Sequence, residues 1–338
     1  RDRLPGSIAS PRWRLGVPPP ATQSDRCRLA ILHPIEHLRY VARSGGVPAA
    51  MLVEETADAV LGLSSRYGEV DPSELLTACR RILSRRPTSG PLWWMAARVL
   101  TSNDVRREID EVLTELREDR TASELEAALG HGATVTVVGW SIQAAQGLVR
   151  RGDVTVLVID AMGEGDELAR QLGRRGVDAR SVPPENMAAA VLRSDAVLVE
   201  ATIAGPDEAL CVTGSVPTAA VAAHLGVPVW LIAGVGYRLP KALYDSATAR
   251  WAAQHGADAP ADASLRASDG GNLGTSDAQD RDQGPDRLVL LDEERLSVGL
   301  LDKVVCEAGP LPAPPIPSTP NFPRVPELER FGVVLADP

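Results

Sequence analysis

The 338-residue chain is poor in aromatic residues, which make up 4% of it, and it has only two lysines, Lys241 and Lys303. The shortage of aromatics predicts a core built mainly from Ala, Val, Leu and Ile. Hydrophobic residues make up 44% and charged residues 24%, which excludes a wholly disordered or collagen-like chain. The formal net charge of -10 argues against a general nucleic-acid binder.

Cysteine is also scarce, and its pattern excludes two further classes of protein. Cys27, Cys79, Cys211 and Cys306 lie far apart and include no CxxC pair. This spacing argues against a zinc site and a disulfide framework, and the histidines lack metal-ligand spacing as well. The longest apolar run, near Val227–Val235, is far shorter than the ~20 residues that span a bilayer. We therefore expect a soluble cytoplasmic protein without a metal, a cofactor or a membrane partner.

The beginning of the chain differs in charge from the rest. Residues 1–45 carry eight arginines against Asp2, Asp25 and Glu36, and they are rich in proline. We interpret residues 1–34 as a disordered leader or as a stretch outside the native protein. An arm that meets an acidic partner is the alternative.

Residues 35–130 have the apolar period of helices and are predicted to form a helical domain. One stripe is Val53, Ala57, Val60 and Leu61, the next Leu75, Cys79, Ile82 and Leu83, and a third Ile109, Val112, Leu113 and Leu116. Asp71, Pro72 and Glu74 form a capping pattern, and Thr121 with Glu124 forms another.

Residues 131–309 have a different pattern, in which short β-branched runs alternate with helical stretches. The predicted strands are Thr134–Gly139, Val154–Asp160, Gly176–Val182, Ala196–Glu200 and Val227–Ala233, and the helices between them are Glu164–Arg175, Glu185–Leu192 and Val216–Leu225. Continuous apolar strands separated by helices predict an α/β fold, a Rossmann-like parallel sheet with helices on both faces.

Three later segments complete the prediction. Residues 257–287, rich in Ala, Asp, Ser and Gly, are expected to be a flexible insertion. Leu288–Leu291 is predicted as a last strand and Leu296–Val305 as a short helix. Residues 310–338 form a proline-rich tail that excludes a regular helix or a central strand.

Ligands of such sheets bind beyond the carboxyl ends of the strands, where Gly139–Ser141, Asp160, Glu200–Thr202 and Gly234–Gly236 lie. Asp160 stands where a ribose-binding acid would lie in a dinucleotide site. However, the first turn lacks GxGxxG, and Trp140 would obstruct a pyrophosphate. No Gly-Lys-Ser/Thr is present, which excludes a P-loop.

Carboxylate or thiol catalysis is a second possibility. Asp160, Glu200 and Asp207 would shift one another's pKa if they shared a crevice, although acids at strand ends are also common as helix caps or solvated groups. Cys211 has no histidine near it in the sequence, so a buried inert thiol is preferred to a nucleophile. His224 is interpreted as a surface or packing residue, and Trp140 as a lid or as core filling.

Several motifs point to one family. The first motif is Arg86-Pro87-Thr88, which precedes a predicted helix that begins Leu92-Trp93. Four more motifs follow it in order along the chain: Val197–Ala201, Gly214-Ser215, Ala222–Val229 and Leu301–Gly309. This series resembles the translation initiation factor 2B alpha/beta/delta-subunit family, which also contains methylthioribose-1-phosphate and ribose-1,5-bisphosphate isomerases. The resemblance covers roughly residues 35–309 and implies a helical domain before a Rossmann-like sheet, and a dimer.

The resemblance also implies an active site that this sequence lacks. The isomerases use a Cys in the first turn, which is Gly139–Ser141 here, and an Asp where Thr202 stands. Their Asn-Lys-x-Gly-Thr phosphate segment matches Cys211–Ser215, and their Arg-Pro matches Ala161-Met162.

We therefore expect a non-catalytic ligand-sensing or scaffolding protein that binds a sugar phosphate or nucleotide. Its binding residues would be Arg86, Gly139, Trp140, Ser141, Thr202, Gly214 and Ser215, with Arg86 alternatively a purely structural residue. An enzyme in which Asp160, Glu200 or Asp207 replaces the lost groups is the alternative, and nucleotide-dependent oxidoreduction is a weaker one.

Overall fold

The computed structural model describes residues 49–63, 70–255 and 292–330. The predicted leader, insertion and Leu288–Leu291 strand lie outside the described residues, as do the end of the tail, Cys27, His33 and His37. Contacts divide the chain into two compact units that meet in sequence between Arg85 and Arg86. The boundary near residue 130 that the sequence suggests stays a proposal.

The described part of the first unit contains two helices, α1 (Ala49–Leu61) and α2 (Pro72–Arg85). They pack through Ala59 and Ala78, with Leu63 against them. The cap expected at Asp71 is present, because its Oδ1 accepts from the backbone N–H groups of Ser73 at 2.8 Å and Glu74 at 3.1 Å. This contact satisfies donors that the first turn of α2 leaves free.

The second unit begins with three more helices, α3 (Gly90–Thr101), α4 (Val105–Arg117) and α5 (Thr121–Ala128). Trp93 and Trp94 of α3 are fully buried, so these aromatics serve the core. The cap expected at Thr121 is wrong. The carboxylate of Asp119 instead accepts from the backbone N–H of Thr121 at 2.8 Å and from its hydroxyl at 2.6 Å.

Nine strands of the described chain form one mixed sheet, in the spatial order β3-β2-β1-β4-β6-β8-β9 with β5 and β7 branching from β4. The strands are β1 (Thr134–Val138), β2 (Thr155–Ile159), β3 (Asp178–Val182), β4 (Ala196–Ala204), β5 (Glu208–Val212), β6 (Val229–Ile232), β7 (Glu293–Ser297), β8 (Lys303–Cys306) and β9 (Gly309–Pro312). The six strands from β3 to β8 are parallel, whereas β5, β7 and β9 pair antiparallel with their neighbours.

Helices cover both faces of the sheet. One apolar cluster joins the strands to α5, α6 (Ile142–Arg151) and α7 (Gly165–Arg174). A second cluster joins the opposite face to α8 (Met187–Val191) and α9 (Ser215–Leu225). Two further helices, α10 (Lys241–His255) and α11 (Pro326–Glu329), complete the described elements. The predicted fold class, a helical region followed by a Rossmann-like parallel sheet with helices on both faces, is confirmed.

The helix predicted over Leu296–Val305 is wrong. These residues form the end of β7, a 3-10 turn at Val298–Leu300 and most of β8. The apolar run at Val304 and Val305 pairs in parallel with Leu231 and Ile232 of β6. A short apolar run cannot be assigned to a helix or a strand from its periodicity alone. Here the run becomes a strand because it pairs with the edge of β6 that β4 leaves unpaired. The proline-rich Gly309–Pro312 is an outer strand, as the exclusion of a central strand requires. The exclusion of a regular helix from the tail is wrong, because Pro326–Glu329 forms a short α-helix that begins at a proline, a position where proline is tolerated.

Candidate functional site

The turns at the carboxyl edge of the sheet lie very close together. A β-carbon added at Gly139 would come within 3.2 Å of the Val212 side chain. One added at Gly214 would come within 2.6 Å of Ala161 and 3.3 Å of Val138. Gly214 also has a φ of +98°, a left-handed conformation that favours glycine. The ends of β1, β2 and β5 therefore meet in a single place.

Glu200 of β4 binds the N-terminus of α6 at this edge. Its Oε2 accepts from the Ser141 hydroxyl at 2.6 Å and from the backbone N–H groups of Gln143 at 2.8 Å and Ala144 at 3.3 Å. Burial raises the pKa of Glu200, while these hydrogen bonds act in the opposite direction. Glu200 is thus an acceptor for a helix end, and Ser141 is one of its donors.

Glu294 of β7 binds the N-terminus of α9 in the same way. Its Oε1 accepts from the backbone N–H of Val216 at 2.5 Å. The backbone N–H groups of Gly214 and Ser215 also hydrogen-bond this carboxylate, and burial raises its pKa. The Ser215 hydroxyl instead donates to the carbonyl of Val212 at 2.7 Å. Three consecutive backbone donors therefore surround one carboxylate.

Asp160 follows β2 and binds the start of α7. Its Oδ1 accepts from the backbone N–H of Gly165 at 2.7 Å. Burial raises the pKa of the adjacent Glu164, and the negative charges of Asp292 and Asp160 raise it further. Carboxylates thus crowd this part of the edge, but the group is Asp160, Glu164 and Asp292. The expected trio of Asp160, Glu200 and Asp207 is wrong, because Asp207 lies exposed in a hairpin.

Glu293 lies beside Thr202 and the Arg86-Pro87-Thr88 turn. The hydroxyl of Thr88 hydrogen-bonds the Glu293 carboxylate, and burial raises the pKa of that carboxyl. The Thr202 hydroxyl lies within hydrogen-bonding reach of both Glu293 and the Leu210 carbonyl, which is 3.2 Å away. A carboxylate therefore stands next to Thr202, supplied by a strand more than 80 residues later in the chain.

A partly buried polar network extends the site toward α5. Gln143 Oε1 accepts from the backbone N–H of Gly234 at 3.1 Å, and Asp119 Oδ2 accepts from that of Val235 at 3.1 Å. Tyr237 hydrogen-bonds Gln143, and burial followed by the charges of Glu200 and Asp119 raises the Tyr237 pKa. Sequence reasoning missed Asp119, Gln143 and Tyr237, although the Gly234–Gly236 turn drew attention to this loop.

Two of the expected binding residues border this region. Trp140 is partly buried and packs on the apolar cluster beneath α5, α6 and α7, as the core-filling interpretation expects. Arg86 is partly buried in the turn before α3, where its carbonyl accepts from the backbone N–H of Ser89 at 3.3 Å. Burial lowers the pKa of Arg86.

Three other sequence candidates have different surroundings. Asp207 is exposed in the β4–β5 hairpin, and its carbonyl accepts from the backbone N–H of Val298 at 3.0 Å. Cys211 is buried, and burial with the charges of Glu294, Glu293 and Glu200 holds its thiol pKa well above the usual range. His224 is exposed near the end of α9. Cys211 therefore matches the description of an inert thiol.

Within residues 49–63, 70–255 and 292–330, no group of three or more His, Cys, Asp or Glu residues is placed to hold a metal ion. None of the helices in these ranges is long and apolar enough to cross a membrane.

Comparison with known proteins places this fold. No protein-family model matches the chain, and no curated protein matches it either. Solved structures do match. The Pyrococcus horikoshii OT3 translation initiation factor eIF-2B is 16% identical, with a TM-score of 0.63 over 83% of this chain and 97% of that one. The tetrameric eIF2B-β2δ2 complex of Chaetomium thermophilum gives 16% identity and a TM-score of 0.61 over 87% and 96% of the two chains.

A third solved structure agrees with these two. The delta subunit of the translation initiation factor eIF-2B from A. fulgidus is 15% identical, with a TM-score of 0.52 over 83% of this chain and 88% of that one. The class of protein that the fold defines is therefore an α/β protein built like the eIF2B subunits. The resemblance seen in the sequence is confirmed at the level of the fold, over most of the chain.

Proposed function

We propose that this protein is a non-catalytic, eIF2B-like protein with a scaffolding or ligand-sensing role. The observation that carries the proposal is Thr202, which stands in β4 where the resemblance implies a catalytic aspartate. A hydroxyl does not replace a carboxylate in acid–base chemistry, and loss of such a group costs about 10²–10⁴ in rate. The turn after β1, Gly139–Ser141, also offers no thiol.

A scaffolding role requires a surface for a partner, and we propose a second copy of the chain as that partner. Leu192, at the end of α8, is 67% exposed, and Leu225, at the end of α9, is 38% exposed. The helix α9 has no Asp, Glu, Lys or Arg, and its outer positions Pro217, Ala220 and Ala223 are exposed. Helices that are apolar on all sides are normally buried. The C. thermophilum complex with a similar fold is a tetramer, which supports assembly here.

Replacing both leucines with glutamate is expected to convert a dimer into a monomer. Leu192→Glu with Leu225→Glu places like charges into the proposed apolar interface, where they would be desolvated. Size-exclusion chromatography with light scattering at one fixed concentration gives the mass of the wild type and of the double variant.

The matched control for this experiment is Met162→Glu. Met162 is another exposed apolar residue, 44% exposed, in the turn after β2. The Met162→Glu substitution should leave the dimer intact. A monomeric wild type, or a double variant that is still dimeric while folded by circular dichroism, would contradict the proposed interface.

If the role is ligand sensing, the ligand that the sequence resemblance implies is a sugar phosphate or a nucleotide. A thermal-shift panel of both classes distinguishes sensing from scaffolding. A ligand at 100 times its Kd adds about 2.7 kcal/mol to the stability of the fold. If none of these compounds raises the Tm, scaffolding is the role that is supported.

An altered sugar-phosphate isomerase is the second candidate, and Glu293 is the observation that favours it. Its carboxylate adjoins the Thr88 and Thr202 hydroxyls, and its pKa is raised by burial. We expect no turnover of methylthioribose-1-phosphate or ribose-1,5-bisphosphate by the wild type. Turnover that is lost in Glu293→Gln and kept in Asp207→Asn would establish the enzyme and refute the leading proposal.

We also propose the cytoplasm as the compartment. The thiols of Cys79, Cys211 and Cys306 are buried and unpaired in the described chain. Reduced thiols of this kind are typical of a reducing compartment. Fractionation of the expressing cell would test this placement, and recovery outside the cytoplasm would refute it.

A further inference from the structure

A cavity of about 320 Å³ lies at the amino-terminal edge of the sheet, opposite the carboxyl edge described above. Its walls come from the end of α5, from the 130–133 loop that leads into β1, and from the first residues of β1, β4 and β6. All of these elements belong to the second unit. The volume falls within the range of cavities that hold small organic molecules, about 300–1,000 Å³. The cavity is therefore large enough for a ligand of its own.

Apolar side chains make up most of the cavity wall. Leu129, Val135 and Ala196 are buried members of the apolar cluster beneath α5, and Trp230 belongs to the same cluster. Gly130 of the loop adds backbone to the wall but no side chain. Ligand sites are typically lined in this way, with a small number of polar groups that set the orientation of the ligand. The walls therefore favour a ligand with an apolar body.

Trp230 supplies a hydrogen-bond donor that the protein itself does not use. The residue is 7% exposed, and its indole Nε1 is buried without a hydrogen-bond partner among the described residues. A buried donor without an acceptor is costly, and native proteins contain few of them. Because Trp230 lines the cavity, a ligand bound there can supply the missing acceptor.

The charges beside the cavity disfavour an ionic ligand of either sign. Asp195 lines the cavity, and the ammonium group of Lys303 lies 4.6 Å from the centroid of the Trp230 ring. His131 also lines the cavity, and its Nδ1 contacts the Asp153 carboxylate. An anion in the cavity would lie beside Asp195, and a cation beside Trp230 would lie close to Lys303. Like charges repel at such distances, so an uncharged ligand is favoured.

We propose that this cavity binds a small uncharged organic molecule that has an apolar body and a carbonyl oxygen. The apolar body would lie against Leu129, Val135 and Ala196, and the carbonyl oxygen would accept from the indole N–H of Trp230. A neutral aromatic amide has both parts, and its N–H group can donate to the Asp195 carboxylate. This site is separate from the proposed sensing site, which lies at the opposite edge of the sheet.

Benzamide is the probe, because it joins an aromatic ring to a neutral carbonyl group. The full chain is labelled with ¹⁵N in its tryptophans, and the signal absent from Trp230→Phe identifies the indole N–H resonance of Trp230. This resonance should shift in a saturable way as benzamide is added. Benzoate and benzylamine, which carry a negative and a positive group on the same ring, should bind at least about fivefold more weakly.

Three variants test the individual contacts by ligand-observed NMR. Trp230→Phe keeps an apolar ring but removes the donor, so benzamide should bind it about three- to tenfold more weakly, the usual effect of one hydrogen bond. Trp251→Phe is the matched control, since Trp251 is buried in α10 and does not line the cavity, and it should leave the affinity unchanged. Asp195→Asn removes the charge but keeps an oxygen for the Thr134 N–H, which lies 2.8 Å away, so benzoate should bind this variant more tightly.

The proposal is overturned if benzamide, added up to its solubility limit, leaves the Trp230 resonance unmoved, or if benzoate or benzylamine binds as tightly as benzamide does. It is also overturned if Trp230→Phe, shown by circular dichroism to be folded, binds benzamide as well as the wild type does. Should Trp230→Phe fail to fold, unchanged benzoate binding by Asp195→Asn would refute the proposal. The proposed function is tested separately, by light scattering and by the panel of phosphorylated ligands.

Discussion

Replacing Glu307 with alanine is expected to destabilise the protein by about 3–5 kcal/mol. Arg238 is 1% exposed, and its guanidinium pairs with the Glu307 carboxylate at 2.5 Å. Arg238 also lies within reach of the buried Cys306 thiol, whose pKa burial raises and the arginine lowers. Without Glu307 the arginine charge would stay in the interior uncompensated. Urea denaturation of the wild type and the variant gives the difference in the free energy of unfolding.

An exposed ion pair provides the control for this prediction. Lys241 and Asp245 lie 3.1 Å apart on the surface of α10, with side chains 64% and 55% exposed. Asp245→Ala should change the stability by less than about 1 kcal/mol, because surface pairs contribute little. The double variant Arg238→Met with Glu307→Leu should recover most of the loss, since it removes both buried charges. A Glu307→Ala variant as stable as Asp245→Ala would show that the buried pair is not needed.

Gly147→Ala should destabilise the protein by about 1–3 kcal/mol, although alanine is the better helix former. Gly147 lies inside α6 and faces α5. A β-carbon there would come within 2.8 Å of the Leu125 side chain and 2.9 Å of the Ala122 carbonyl oxygen. Because a backbone atom is one of the two obstacles, the helices must separate to admit the methyl group. Thermal unfolding would show the loss as a lower Tm.

The same substitution at Gly173 should have the opposite sign. Gly173 lies in α7, is exposed, and has no atom within 4 Å of an added β-carbon. Gly173→Ala should therefore stabilise the protein by about 0.5–1 kcal/mol through helix propensity alone. Equal effects at the two positions would mean that the close approach of α5 and α6 does not limit the size of residue 147.

The parallel strands could be predicted from the sequence because each is a short, continuous apolar run between helical stretches. Thr155–Ile159 and Val229–Ile232 are buried on the sheet and follow this pattern. The antiparallel branch could not be predicted in the same way. Strand β7, Glu293–Ser297, begins with two acids and a basic residue, so its local pattern carries no strand signal. Its structure comes from pairing with β5, a contact that is distant in sequence.

The difference between local pattern and long-range pairing also explains which residues at the carboxyl edge could be predicted from the sequence. Gly139, Ser141, Glu200 and Thr202 follow or end predicted strands, so a general rule about parallel sheets places them together. Gly214 follows β5, which was not predicted, and it was singled out only through the family resemblance. Glu293 and Glu294 reach the edge only through long-range pairing. The thermal-shift panel of sugar phosphates and nucleotides tests the prediction that these residues bind a ligand.

The proline residues of β9 have a consequence for how copies of this protein can meet. Strand β9 lies at one end of the sheet order, and Ala313 donates its N–H inward to the Asp302 carbonyl at 3.2 Å. By the alternation of an antiparallel ladder, Pro310 and Pro312 therefore stand at the positions that face away from β8. Neither has an N–H to offer an incoming strand. This border resists edge-to-edge aggregation, so growth of the sheet from molecule to molecule is blocked there.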